Sequence, residues 1–493
     1  MMRLQILTDY ARENPSKPAV VHNGRTFSYA EFAGAIRATA GHLETEELPA
    51  GHTIAVIVHN LLDCWLVVLA LQALGLHTVT VRSTAMIEAL ELNNLWGMVT
   101  TEREALEYPL EPEAGANNRL VIIPNPVFTN NDLSGLTSLG GNRVEGGHIL
   151  YTSGTTGKYK KVFLGGDLQQ QRNAQRIQSN SYAGADTIYH CVDFGLWTAL
   201  GYRNPLATWQ LGGCVILEQR PEWYEYLLQS RITHASLIPG KVQQLLAFLA
   251  DQSAATPAKD FKLIVTGGFI SRKLAEQIIN RITKNLENAY ASTEIYTMLL
   301  RSKVTDLDEL HWLLPTGYRT IEIVDAAGNP CPVGVEGQLR IGLTELDCSA
   351  YMDNPQASQT VFRSGYFYPG DMAVQRADGR IRILGRSVDV INYLGQKLSV
   401  APLEQEIQDR LGVDSVCLFS GLEDEGYVEL VIAIESAQWP EQSELDKLNN
   451  EFSQFERVQI ALFMQFPRTS TGTHKIDRMA LRKLIFPEHG ASD

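Results

Sequence analysis

The chain is expected to adopt an α/β fold in two unequal parts, on three observations. Helix-period and strand-like segments alternate over most of its length, the pattern of largely parallel sheets covered by helices. From 318 to 385 that alternation gives way to short strand-like stretches separated by Gly-containing turns. The length, 493 residues, exceeds the ~250–300 residues that one hydrophobic core can hold. A large N-terminal domain of packed, mostly parallel sheets with helices and a β-rich subdomain is therefore expected over 1–386. A small α+β domain of about 100 residues is expected over 387–493.

The elements follow in order. "HTIAVIVHN" (52–60) reads as a strand that leads into a helix starting at Leu61. The run "CWLVVLALQALGLHTVTV" (64–81) is the most apolar of the chain, but Gln72, Gly75 and His77 interrupt it and Asp63 precedes it. A membrane span needs about 20 apolar residues, so the run reads as a buried helix followed by a strand. "GCVILE" (213–218) is a short buried strand. "FKLIVTGG" (261–268) is another, with the helix "LAEQIINRI" (274–282) after it. "RTIEIVDAAGNP", "EGQLRIG" and "GRIRILGR" supply the β-rich stretch. Beyond it "DVINYLG", "LEQEIQDRL", "YVELVIAIES" and "ELDKLNNEFSQF" alternate strand and helix. No tandem repeat of solenoid length and no low-complexity linker interrupts the series.

Composition excludes several classes. The formal charge is −14, from 42 Lys+Arg against 56 Asp+Glu. Non-specific nucleic-acid binding depends on neutralising phosphates, so no nucleic-acid partner is expected. The six cysteines form no C-x-x-C pair, which points to free thiols in a reducing compartment rather than to zinc or disulfides. "MMRLQILTDYARENPSKPA" at the N-terminus lacks the long apolar stretch and small-residue cleavage site of a signal peptide. A cytoplasmic protein without a membrane partner is expected.

The chemistry starts at "YTSGTTGKYKKV" (151–162). Gly154 and Gly157 can adopt backbone angles closed to other residues, so that successive N–H groups converge on an anion. Thr152, Ser153, Thr155 and Thr156 add hydroxyl donors, and Lys158 adds a mobile point charge. That combination suits a polyphosphate, although it is not G-x-x-x-x-G-K-[ST]. Such composition alone also describes an ordinary surface loop. "NAYASTEIY" (288–296) brings an aromatic, a hydroxyl and a lone acid at Tyr290, Thr293 and Glu294. The aromatic can stack on a base, and an acid near phosphates can hold magnesium. "GYFYPGDMA" (365–373) presents Asp371, whose carboxylate can accept both hydroxyls of a ribose. "GRSVDVINYLGQKLS" (385–399) places Arg386 at the domain boundary, and "PRTSTGTHKIDR" (467–478) brings Lys475 near the C-terminus. Singly, these read as a capped turn, a Pro-Gly turn and a solvated basic stretch.

Their joint order is more specific. The series "YTSGTTGK", "YASTE", "GYFYPGD", "GRSVD…LGQKLSVAPLE" and "TGTHKIDR" resembles the adenylate-forming superfamily. That superfamily contains acyl-CoA synthetases, adenylation domains of non-ribosomal peptide synthesis, and firefly luciferase. The resemblance covers nearly the whole chain, from "RTFSYAEFAGAIRATAGHL" onward.

The resemblance implies ATP and magnesium as cofactors. Residues 152–158 would cover the β- and γ-phosphates, Glu294 would hold magnesium, and Tyr290 with Ala291 would pack on adenine. Gly267 and Gly268 of "TGGF" (266–269) would run along the adenine and the acyl pocket. Asp371 would bind the ribose, with Arg386 beside it. Lys475 would reach the carboxylate and the α-phosphate. A mobile C-terminal domain would then rotate and exchange Lys475 for an acceptor, a gating step.

The sequence departs from the family pattern in places. Tyr159 stands for Pro and Lys161 for Gly in the phosphate loop, Pro369 for Thr before Gly370, and Val388 for the usual Asp or Lys hinge. The C-terminal motif has two extra residues between Gly472 and Lys475.

"YHCVDFGLWTALGY" (189–202) occupies the place of the acyl pocket, with Asp193, Phe194 and Trp197 as candidate substrate residues. Two alignments stay open. In one, Asp193 meets the α-ammonium of an amino acid. In the other, the segment follows the CoA-ligase and luciferase branch, with Val192 in place of a histidine. The resemblance thus implies a ligase that activates a small-molecule carboxylic acid as acyl-AMP and passes it to CoA or to a phosphopantetheine thiol. An amino-acid enzyme that loads a carrier protein, an amide-forming ligase and a non-catalytic adenylate-binding module remain alternatives.

Overall fold

The computed structural model describes residues 3–107, 119–126, 144–153, 159–182, 184–219, 223–229, 231–251, 260–387, 390–393, 396–420, 429–453, 457–468 and 476–486. Two parallel-rich sheets form its larger part. One has nine strands, with Leu286–Tyr290, Lys262–Val265, His234–Leu237, Ile188–His190, Cys214–Leu217 and Pro18–His22 running parallel in that spatial order. Antiparallel strands close both of its edges. The other sheet orders Arg119–Ile123, Leu95–Thr101, Thr53–Val56, His77–Thr80 and His148–Ser153 in parallel, with Tyr159–Leu164 antiparallel at its end.

The helix Leu61–Ala73 joins the two sheets. All thirteen of its residues are buried, and they share a core with Val20, Tyr189 and Val215 of one sheet and with Ile54, Val99 and Leu150 of the other. A helix covered on every side needs apolar residues all round, as "LLDCWLVVLALQA" supplies. Each large side chain buried this way contributes about 1.5–3 kcal/mol. Trp65 stacks on Tyr202 at 5.5 Å and meets Trp209 edge-on at 5.0 Å. The sequence-based expectation of a buried helix followed by a strand is met, the strand being His77–Thr80.

The stretch 318–385 folds as the expected antiparallel β-rich part, built on Ile321–Val324, Gly337–Gly342, Asp371–Gln375 and Ile381–Arg386. After residue 400, the strands Ser415–Ser420, Glu429–Glu435 and Arg457–Phe463 form one sheet, accompanied by helices Val400–Leu411, Gln442–Glu451 and Arg478–Ile485. Among the described residues, their two apolar clusters contain none from before Val400. Among the described residues, no helix is long and apolar enough to cross a membrane.

Candidate active site

Parallel strands deliver their chain ends to one side of a sheet, where ligands of open α/β sheets bind. Here the strands ending at His190, Leu237, Val265 and Tyr290 lead into Phe194–Trp197, Ile238–Gly240, Thr266–Gly268 and Ala291–Glu294, and all of these segments line one cleft. Gly267 has φ +79°, a left-handed turn that keeps this edge of the cleft low. Gly195 is needed for a different reason, since a Cβ there would sit 2.0 Å from the Trp197 ring. The second sheet contributes Tyr151, Thr152, Tyr159 and Lys160, and the β-rich part contributes Tyr351, Asp371 and Arg386. Glu404, Gln405, Gln408, Arg468 and Arg478 approach from beyond residue 400. The cleft has a volume of about 690 Å³, within the ~300–1,000 Å³ range of ligand sites.

One corner is built around Asp371, which is 6% exposed. Its Oδ1 lies 3.0 Å from Arg386 Nε, and its Oδ2 accepts the Tyr290 hydroxyl. Burial, then the carboxylate beside it, pushes the Tyr290 phenol well above its ordinary range, so Tyr290 stays a donor. An ionised carboxylate has about four lone-pair sites, enough for these partners and a diol. Arg386 also donates to the backbone carbonyl of Pro369, an acceptor that a threonine there would equally supply.

A second corner is built around Glu294. Tyr351 donates to its Oε1 at 2.6 Å, and Ser292 donates to its Oε2. Burial, then the Glu294 carboxylate, raises the Tyr351 phenol far above its ordinary range. Arg203, from the helix Ala199–Gln210, donates to the carbonyls of Thr293 and Ile295 on either side of Glu294. Among the described residues no cluster of three or more His, Cys, Asp or Glu could hold a metal. One carboxylate near phosphates nevertheless fits magnesium, which keeps several waters and takes few protein ligands.

The phosphate-loop departures have a structural explanation on the described side of the hairpin. Ser153 pairs with Tyr159 in register, and Tyr159 packs edge-on against Tyr151 at 5.8 Å. Lys161, 4% exposed, reaches the Glu91 carbonyl at 3.0 Å and Asp353 at 3.1 Å. It is a strut between segments rather than a cation facing the cleft.

The structure brings Thr152, Phe194, Trp197, Gly267, Gly268, Tyr290, Ala291, Thr293, Glu294, Asp371 and Arg386 to the same cleft. It does not bring Asp193 there. That carboxylate is 2.7 Å from Lys241 Nζ, and the ammonium also lies 5.7 Å over the Trp223 ring. Gly154, Thr155, Thr156, Gly157, Lys158, Val388 and Lys475, with the Ser153 side chain, lie outside the described residues. Sequence reasoning missed Tyr351, Arg203, Arg176 and Lys241, none of which stands in a motif that marks it.

Two parallel-rich sheets, a lone buried acid and a paired Asp–Arg–Tyr corner around an open cleft define an α/β nucleotide-binding enzyme. The chain belongs to the AMP-binding enzyme family, whose model matches residues 7–92 and 148–344. Its relatives include an indoleacetate–CoA ligase of Aromatoleum aromaticum, 24% identical over 68% of this chain and 67% of the relative. A 4-chlorobenzoate–CoA ligase of Arthrobacter is 23% identical over 96% of this chain and 94% of its own length. Among solved structures, the amide bond synthetase McbA of Marinactinospora thermotolerans shares the fold with a TM-score of 0.80. It is 18% identical, and 98% of this chain and 99% of that one are covered.

Proposed function

We propose that the protein is an ATP-dependent carboxylic acid ligase of the AMP-forming, acid–thiol type. The observation that carries this reading is the convergence of Thr152, Tyr290, Glu294 and the Asp371–Arg386 pair on one cleft. Tyr290 and Ala291 would border the adenine, Asp371 the ribose, and the hairpin at Thr152 the phosphates. Magnesium, held by Glu294 with Tyr351 and Ser292 fixing the carboxylate, would neutralise phosphate charge. A substrate carboxylate then attacks the α-phosphorus in line and pyrophosphate leaves. Positioning and charge neutralisation carry such transfers, with little side-chain proton chemistry. Lys475 is proposed to stabilise the charge that develops.

We place the boundary between a large part, 1–386, and a small mobile part, 387–493. The acyl group is passed to CoA or to a carrier-protein thiol. Transfer to an amine is the second reading. It is favoured by the mouth of the cleft, where Glu404, Gln405, Gln408 and Asp414 gather and where Arg468 and Arg478 are already paired with Glu435 and Glu404. Such a mouth suits a neutral or cationic acceptor better than a polyphosphate. Six free thiols, five of them buried, are in keeping with the cytoplasm.

The test is pyrophosphate release from ATP and magnesium across aryl, alkyl and amino acids, followed by product mass with CoA, pantetheinylated carrier protein or amines. Acid-dependent release is the expected outcome. Release that no acid stimulates refutes the proposal.

A further inference from the structure

We propose that the acid activated here carries a second carboxylate besides the reacting one, and that Arg176, backed by Arg203, selects for it. The inference rests on the ligase reading above.

The cleft has apolar walls at Phe194, Trp197, Ile238 and Met298, yet Arg176 and Arg203 line it as well. They are 3% and 1% exposed, and they come from two helices packed on each other, Gln169–Asn180 and Ala199–Gln210. Arg203 spends Nη1 and Nη2 on the carbonyls of Ile295 and Thr293, and its Nε is buried with no hydrogen-bond partner among the described residues. Arg176 donates through Nε to Asn204 Oδ1 at 2.9 Å and through Nη1 to the Tyr296 carbonyl at 3.2 Å. Its Nη2 has no hydrogen-bond partner among the described residues. A third cation, Arg172, donates to the carbonyls of Leu346 and Gly165. Among the described residues, no carboxylate comes within salt-bridge distance of any of the three. Burial, opposed by Tyr296 and Glu294 and helped by the charges of Arg176 and Arg172, pushes Arg203 down to about 10.

The nearby acids act on these arginines only from a distance and have other direct partners, Asp347 pairing with Arg319. Glu294 receives Tyr351 and Ser292, and Asp193 receives Lys241. Among the described residues their direct hydrogen-bond partners are carbonyls and Asn204, with the Tyr296 ring 4.5 Å from the Arg203 guanidinium, and desolvating an ion without a directly paired counter-charge costs several kcal/mol. A planar guanidinium donates best to a carboxylate. The N-terminus of the helix Ala199–Gln210, lining the same cleft through Ala199 and Leu200, adds partial positive charge. A wholly apolar acyl tail would bring these guanidiniums no carboxylate. A tail carrying one supplies it.

The experiment is ATP–pyrophosphate exchange with the full chain on matched pairs that differ by one carboxylate: butyrate and succinate, valerate and glutarate, benzoate and isophthalate. For at least one pair, kcat/KM for the diacid should exceed that for the monoacid by about 100-fold or more, the discrimination expected where a site built for a polar group meets an analogue lacking it. Arg176→Met should collapse that ratio to a few-fold. Arg176→Lys should keep part of it, and thermal melts of both variants report whether they fold. Monoacids used as well as their diacids by the unaltered protein overturn the inference and leave the ligase reading standing. No exchange with any acid overturns the ligase reading itself.

Discussion

Tyr351 donates its hydroxyl to Glu294 over 2.6 Å, and burial keeps that phenol protonated at any pH the protein would meet. Its role is to orient the carboxylate, and outer partners of this kind tune metal affinity about 10–100-fold. Tyr351→Phe should raise the magnesium concentration for half-maximal pyrophosphate release by about 10-fold or more. An unchanged magnesium titration would reduce Tyr351 to packing. Asp193 makes the opposite case. Its partner Lys241 is nearly buried, so Asp193→Ala leaves an ammonium without its carboxylate. A loss of about 1–3 kcal/mol in denaturant unfolding is expected, with adenylation of simple acids retained. Selective loss of amino-acid activation would instead return Asp193 to the substrate. The sequence offered Asp193 on its neighbours alone, and those neighbours say nothing of a lysine 48 residues away.

At the scale of elements, the central helix Leu61–Ala73 is held at its entrance by one acid. Glu104, from the short helix Glu102–Glu107, accepts the backbone N–H of His59 at 2.9 Å and of Asn60 at 3.1 Å, and its other oxygen meets His59 Nδ1 at 2.8 Å. Asn60 in turn caps the helix through the Asp63 N–H. Burial works against ionisation of Glu104, but the hydrogen bonds from His59 and Asn60 outweigh it and hold the carboxyl below its ordinary 4.5. A depressed folded value means stabilisation that is present above the unfolded value and lost as pH falls through the folded one. Glu104→Gln should therefore cost about 1–3 kcal/mol at neutral pH. The gap from the unaltered protein should narrow as pH falls below about 4.5. Chemical unfolding across that range is the measurement, and a gap independent of pH would exclude the carboxylate as its source.

At the scale of the whole molecule, residues beyond 400 meet the rest through small polar contacts. Lys273 donates to the Gly412 carbonyl, the Arg272 N–H to Asp409, and Arg382 to Gln405. Exposed pairs of this kind are worth about 0–1 kcal/mol each, so a rearrangement that breaks them costs little. Gly385 marks the tight point, with φ +108° and room for no Cβ, which would meet Ala401 at 2.7 Å. The movement proposed for residues 387–493 should let mutation separate the half-reactions. Lys475→Ala should lower acid-dependent pyrophosphate exchange by about 100–1,000-fold, the cost of removing one charge-stabilising donor. Attack on a supplied acyl-adenylate should stay within a few-fold. Equal loss of both halves would contradict the proposed exchange of positions.

By itself the sequence determined the α/β class, the strands at 53–56, 214–217 and 262–265, the buried central helix and the order of the nucleotide motifs. Hydrophobic period and turn chemistry are properties of a few adjacent residues, and short motifs carry their own spacing. The tertiary structure alone decided that Asp193 turns to Lys241, that Lys161 becomes a strut, that Tyr351 supports Glu294, and that arginines from two helices gather at the cleft. A charged side chain shows its partner only when packing brings together segments far apart in the chain. A buried arginine inside a helix has the same local pattern as an exposed one.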